Sequence, residues 1–189
     1  MLVNNETGAI FPVEEAARAI RRSKAPALLH VDAVQAFGKL PFTVKKLGAD
    51  LLTLSGHKLH APKGVGALYV KKGTRLLPRT LGGGQERGLR SGTESVPLIG
   101  ALGEAVRLLP PAGEALEHIQ KLNSLLRQEL AQLPGVVLHS PEDALPYVLN
   151  FSAGKVRGET MLHFLAQREV YVSSGSACGK AKPSHVLES

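Results

Sequence analysis

The chain has 189 residues, a formal net charge of +7 and 43% hydrophobic residues, enough for one domain, or one domain and part of another. Its single cysteine argues against a disulfide framework and fits a reducing compartment, and no apolar run is long enough to span a bilayer. The basic residues are scattered (Arg21-Arg22, Lys45-Lys46, Lys71-Lys72, Arg87, Arg90) and aromatics make up only 4%, so no stacking platform exists and no nucleic-acid binding is expected.

In chain order, Met1-Leu2-Val3 leads straight into polar residues, unlike a signal peptide, and a cytoplasmic location is expected. That short apolar strand ends in Asn4-Asn5-Glu6-Thr7-Gly8. Pro12 opens a helix with Val13, Ala16, Ala17 and Ile20 on one face. The apolar run Ala25 to Leu29 precedes His30-Val31-Asp32-Ala33-Val34-Gln35, which puts Asp32 at the carboxyl end of a buried strand. Ligands of open α/β sheets bind outside such ends, and a carboxylate there can keep a pyridine nitrogen protonated. A helix N-cap or a solvated turn aspartate is the plainer reading.

A further strand, Leu51 to Leu54, runs into Ser55-Gly56-His57-Lys58. Lysine becomes a nucleophile when desolvated and can form a Schiff base, while Ser55 and His57 offer donors for a phosphate. A lysine in a glycine-rich turn is otherwise a solvated charge. Val65 to Val70 forms the next strand; neither strand alternates cleanly, which predicts cover on both faces. His57 and His60 have metal-pair spacing, but no carboxylate or cysteine joins them, and no metal site is expected. Gly82-Gly83-Gly84 lacks the Gly-Lys-Ser/Thr ending of a P-loop and leads flexibly into Arg90-Ser91-Gly92-Thr93.

Ser95 to Leu109 reads as a helix and Pro110-Pro111 as a break, dividing the chain into domains 1–110 and 111–189. Beyond it Leu116, Ile119, Leu122, Leu126, Leu130 and Leu133 line one face of a long helix. Strands follow at Val136 to His139 and Tyr147 to Phe151, then a helix at Gly158 to Gln167 and a short strand at Glu169 to Val172. The small-residue segment Ser173 to Gly179 carries Cys178, with Lys180 and Lys182 close by to favour the thiolate. A lone cysteine is more commonly an inert hydrophobe; the neighbours of this one favour a reactive nucleophile on a mobile loop.

Five segments, VNNETG (3–8), HVDAVQAFGK (30–39), SGHKLHAPKGVGALYV (55–70), GGGQERGLRSGTE (82–94) and SSGSACG (173–179), together resemble the cysteine desulfurases. These are pyridoxal-phosphate enzymes of the class-V aminotransferase group with fold-type I architecture. The resemblance implies an α/β fold: part of a large domain with a mainly parallel sheet and helices on both faces, plus an incomplete small α+β domain. It implies that Lys58 carries the cofactor, Asp32 holds the ring nitrogen, and Asn5 and Gln35 contact the ring hydroxyl. Ser55 and His57 would bind the phosphate, Thr93 would reach the phosphate of a partner subunit in a homodimer, and Cys178 would accept sulfur from L-cysteine as a persulfide. The sulfur would pass to an acceptor protein serving iron–sulfur cluster assembly, thio-cofactors or transfer-RNA thiolation. His30 and Asn4 are expected only to satisfy backbone groups.

The family's N-terminal segments, including a histidine that stacks on the cofactor, and its C-terminal carboxylate-binding arginine have no counterpart here, so truncation at both ends is expected. The segment after Cys178 is also shorter than in housekeeping members. Two alternatives stay open: a selenocysteine lyase, separable by alanine release from each substrate, and a catalytically incomplete fragment.

Overall fold

A computed structural model describes residues 1–175 and 184–188. The chain forms two compact units, one of Met1–Leu2 with Pro12–Gly113, the other of Val3–Phe11 with Glu114–Ser189. Among the described residues no helix is long and apolar enough to cross a membrane.

In the first unit, α1 (Val13–Ser23) starts at Pro12, carries Glu14 and Glu15 in its first turn, and has Arg21 and Arg22 in its last, matching the helix dipole. Val13 and Ala17 are buried, whereas Ala16, expected on the same face, is exposed. It sits one helical step from Ala17 and so misses the buried stripe. A three-stranded sheet follows, with β1 (His30–Asp32), β2 (Leu51–Ser55) and β3 (Gly66–Val70) in that spatial order. β1 and β2 run parallel with Asp32 opposite Thr53, and β2 and β3 run antiparallel with Ser55 opposite Gly66. The short helix α2 (Val44–Leu47) lies between β1 and β2 and is capped by the Thr43 hydroxyl.

The core gathers Leu2, Val31, Ala33, Ala36, Leu47, Leu51, Leu52 and Leu59. Asp50 fastens the sheet edge away from the β2–turn junction. Its carboxylate accepts hydrogen bonds from Leu29 N–H at 3.0 Å and Lys71 Nζ at 2.9 Å, tying together the approaches to β1 and β2 and the exit of β3. Cover on both faces fails for β3: Gly66 to Tyr69 are exposed, with Leu68 at 48% and Tyr69 at 42%. β3 is an edge strand of the three-stranded sheet. Helix α3 (Val96–Arg107) packs on the turn after β2.

In the second unit the Val3–Ile10 bridge closes a hairpin turn. Helix α4 (Ala112–Ala131) packs through a stripe of Leu116, Ile119, Asn123, Arg127 and Leu130. The expected leucine face is therefore only half right: Leu122 and Leu126 are exposed, because each stands one residue, about 100° of helix, from the packed line, and Leu133, also exposed, lies beyond the end of α4.

Asn123 and Arg127 occupy that line because they have polar work there. Asn123 Nδ2 donates to Pro146 O, and the Arg127 guanidinium donates to Asn123 Oδ1, Ser140 O and Pro141 O. These bonds hold residues 140–146 as an irregular loop. Strand pairing accordingly begins later than predicted, with β4 (Val136–Leu138) antiparallel to β5 (Phe151–Ala153) in place of Tyr147 to Phe151. Helix α5 (Gly158–Ala166) follows. Glu169 to Val172 forms no strand: Glu169 has φ +61, a left-handed conformation unsuited to extended pairing. The short α6 (His185–Glu188) ends the described chain.

Candidate functional site

Two adjacent strand ends in the first unit hold most of the expected site residues. β1 ends at Asp32, and the chain then winds through turns in which Ala33 and Ala36 are fully buried. Ala33 N–H donates to Thr53 O at 2.9 Å, fixing this turn to β2. Asp32 is exposed, and its Oδ1 accepts Val34 N–H at 2.9 Å, so the plainer capping role is present as well. Gln35 lies half-buried on the same turn.

β2 ends at Ser55 and passes into a 3₁₀ turn, Gly56–Leu59. Leu59 is buried at 2% exposure and anchors the turn, leaving Lys58 half-buried and His57 exposed. Ser55 Oγ and His57 Nδ1 share a hydrogen bond of 2.7 Å, so the two expected phosphate donors sit side by side. Gly56 allows the turn to form this close to β3. A Cβ there would stand 2.9 Å from Val65 Cγ1 and 3.0 Å from Val65 O, and Gly56 N–H already donates to that oxygen. His60 ends the turn at φ +63, which makes it a cap residue of the turn.

Lys39 is the residue sequence reasoning missed. It is half-buried, and burial together with the nearby charge of Lys58 holds its ammonium below the ordinary lysine range. Its turn reaches the Lys58 turn through Gly38, at φ +76, where a Cβ would meet Leu109 Cδ1 at 2.9 Å and Leu59 Cδ2 at 3.3 Å. The available signal was the Gly-Lys ending of the segment that follows Asp32.

The remaining expected residues belong to other segments. Thr93 is exposed on a separate loop, where the Ser91 hydroxyl donates to Thr80 O and Gly92 N–H to Gln85 Oε1. Asn5 belongs to the second unit, exposed at the tip of the hairpin turn. Asn4 behaves as expected: it is buried, and its Oδ1 accepts from Glu6 N–H, Thr7 N–H and Thr7 Oγ1. Cys178 lies outside the described residues. Among the described residues no group of three or more His, Cys, Asp or Glu could hold a metal ion.

The donor set fits a phosphorylated pyridine. Hydroxyl, imidazole and ammonium groups gather on the turn after β2, suited to an anion and to imine chemistry, while a carboxylate stands at the end of β1, suited to a protonated ring nitrogen.

Residues 1–189 match the profile of the class-V aminotransferases. A cysteine desulfurase of Nostoc sp. is 45% identical over 192 residues, taking in 99% of this chain and 48% of the relative. A solved NifS-like protein has a TM-score of 0.89 and 42% identity, with 100% of this chain and 49% of that one covered. SspA, solved in complex with cysteine, has a TM-score of 0.78 and 35% identity, with 99% of this chain and 52% of that one covered. The chain spans about half the length of the curated relatives it matches. Its α/β fold is that of the NifS-like, fold-type I enzymes. With its profile matched from end to end, the chain belongs to the aminotransferase class-V family.

Proposed function

We propose that these residues belong to a pyridoxal-phosphate-dependent cysteine desulfurase, which converts L-cysteine to L-alanine and holds the sulfur as a persulfide on Cys178. The observation that carries this reading is the pairing of parallel strand ends: β1 finishes at Asp32, and β2 leads directly into the turn bearing Lys58. The cysteine bound to SspA supports L-cysteine as substrate. In this reading residues 1–110 are part of the cofactor-binding domain and 111–189 part of the small domain.

When bound, pyridoxal phosphate supplies an electron sink. Asp32 would keep the ring nitrogen protonated, and Asn5 and Gln35 would hold the ring hydroxyl. Ser55 and His57, already hydrogen-bonded to each other, would bind the phosphate, and Thr93 would reach the phosphate held by a partner subunit of a homodimer. Lys58 would carry the cofactor, and its freed Nζ would take the substrate's α-proton and return it.

Cys178, as the thiolate, would attack the substrate sulfur. The bond from that sulfur to the substrate's β-carbon would break, leaving the persulfide on Cys178 and releasing alanine once the carbon fragment is protonated. An acceptor protein's thiol would then take the outer sulfur by exchange, feeding iron–sulfur clusters, thio-cofactors or transfer-RNA thiolation in the cytoplasm.

Replacing Cys178 tests this directly. Cys178→Ser should keep the cofactor's absorption spectrum but lower alanine release by ~10³-fold or more, because a hydroxyl cannot hold a persulfide. Wild-type alanine release by the serine variant would defeat the reading.

A further inference from the structure

Two turns of the first unit bring a second ammonium toward the strand ends. Gly38 packs against the Leu59 side chain: a Cβ at Gly38 would stand 3.3 Å from Leu59 Cδ2 and 2.9 Å from Leu109 Cδ1. Lys39 follows Gly38 and Lys58 precedes Leu59, so this one contact sets their turns side by side. Both lysines are half-buried. The Lys39 turn is itself fixed. Lys39 N–H and Leu40 N–H both donate to Ala36 O, at 3.0 and 2.8 Å, and Ala36 is fully buried.

Like charges gathered in a half-buried place raise the free energy of the unliganded protein, and burial withdraws the water that would screen them. Both effects act on Lys39, whose ammonium is held below the ordinary lysine range by burial and then by the charge of Lys58. Carboxylates are scarce around these turns, and those present carry other bonds. Between Ala33 and Gln85 the only carboxylate is Asp50, which accepts from Leu29 N–H and Lys71 Nζ at the opposite end of β2. Helix α3 packs on the turn bearing Lys58, and the carboxylate of its Glu104 accepts two bonds from Arg107. Asp32 caps its own turn through Val34 N–H. An anion arriving here would meet two ammonium groups on turns that also bear the hydrogen-bonded Ser55 and His57.

We propose that Lys39 is a further phosphate-binding residue of this site, its ammonium joining Ser55 and His57 in holding the phosphate monoester of the cofactor while Lys58 carries it. Lysine serves phosphate as a point charge and donor, a charge-assisted bond of the stronger kind. The proposal deepens the pyridoxal-phosphate reading and rests on it for the identity of the ligand. The anion site itself is testable with inorganic phosphate alone.

The first measurement is lysine reactivity in the intact protein, by reductive methylation read residue by residue with mass spectrometry. Saturating inorganic phosphate should slow modification of Lys39 at least about tenfold relative to chloride at the same ionic strength, the scale of one hydrogen bond to a charged group. Lys45 and Lys46, exposed on α2, should show no such protection. The second measurement compares pyridoxal phosphate with unphosphorylated pyridoxal. Lys39→Met keeps the bulk of the side chain without its charge. It should weaken pyridoxal phosphate about tenfold, read from the absorption of the bound cofactor, and leave pyridoxal unchanged. Lys39→Arg restores the charge and should recover most of the preference.

An unprotected Lys39 would overturn the proposal, as would equal protection of Lys45 and Lys46. Equal weakening of both ligands by Lys39→Met would also overturn it, because Lys39 would then act through Lys58 or through the fold. The outcome is separable from the desulfurase reading. If phosphate protected Lys39 while Cys178→Ser still released alanine, the phosphate site would stand and that reading would fall. An unprotected Lys39 beside an inactive Cys178→Ser would reject the phosphate site alone.

Discussion

Lys58 and Leu59 are neighbours with different tasks. Leu59 is driven into the core, and its burial sets how far Lys58 stands out of it. Gly56 is the third member of this arrangement, because Val65 lies where any side chain would go. Gly56→Ala should therefore push the turn away from β3 and cost roughly 1–3 kcal/mol, the usual scale of overpacking. It should also disturb the Ser55–His57 pair. Denaturant unfolding measures the first effect and cofactor affinity the second; an alanine variant with unchanged stability and affinity would contradict this account of the turn. At this scale, the places of Asp32 at a strand end and Lys58 in the turn after β2 could be read from the sequence, because strand ends and glycine turns announce themselves locally. Lys39 could not. Its proximity to Lys58 depends on Gly38 packing against Leu59 and Leu109, a contact that no local pattern records.

Among the elements, the sheet of the first unit depends on a residue that pattern reading passed over. Asp50 accepts from the segment entering β1 and from the residue following β3. The Leu29 N–H bond, followed by the Lys71 ammonium, holds its carboxyl below the ordinary carboxylate value. A carboxylate whose pKa is lowered by folding stabilises the fold above the unfolded value, about 3.9, and loses that contribution as pH falls through the folded value. Asp50→Ala should thus cost about 2 kcal/mol near neutral pH. The gap from wild type should narrow as pH drops below about 4. Urea titrations across that range check it, and a gap that stays constant into acid would show that the charge is irrelevant.

The helices α1, α3, α4 and α5 were legible because apolar spacing, Pro12 and Pro110-Pro111 mark them. The second strand of the small sheet was misplaced because Arg127 claims the carbonyls of Ser140 and Pro141. A hydrophobic pattern carries no sign of such a side-chain claim. The same bonds explain why α4 packs through Asn123 and Arg127 and leaves Leu122 and Leu126 exposed.

Over the whole molecule, the two units divide the expected machinery. Asp32, Gln35, Ser55, His57, Lys58 and Thr93 fall in the first, and Asn5 falls in the second together with the segment bearing Cys178. The family resemblance was legible because five short segments keep their order and spacing along the chain, and the class-V aminotransferase profile matches residues 1–189. The place of Val3–Phe11 in the second unit rests on long-range bonds such as Leu145 N–H to Gly8 O, which no local pattern records. The central claim is that Lys58 is the amine that carries pyridoxal phosphate. Lys39 is its natural competitor, since an amine with a lowered pKa is the more readily deprotonated nucleophile. Loading the protein with pyridoxal phosphate, reducing it with borohydride and mapping its tryptic peptides decides between them. The account predicts the pyridoxyl mass on the peptide containing Lys58; its appearance on Lys39 or any other lysine would contradict it.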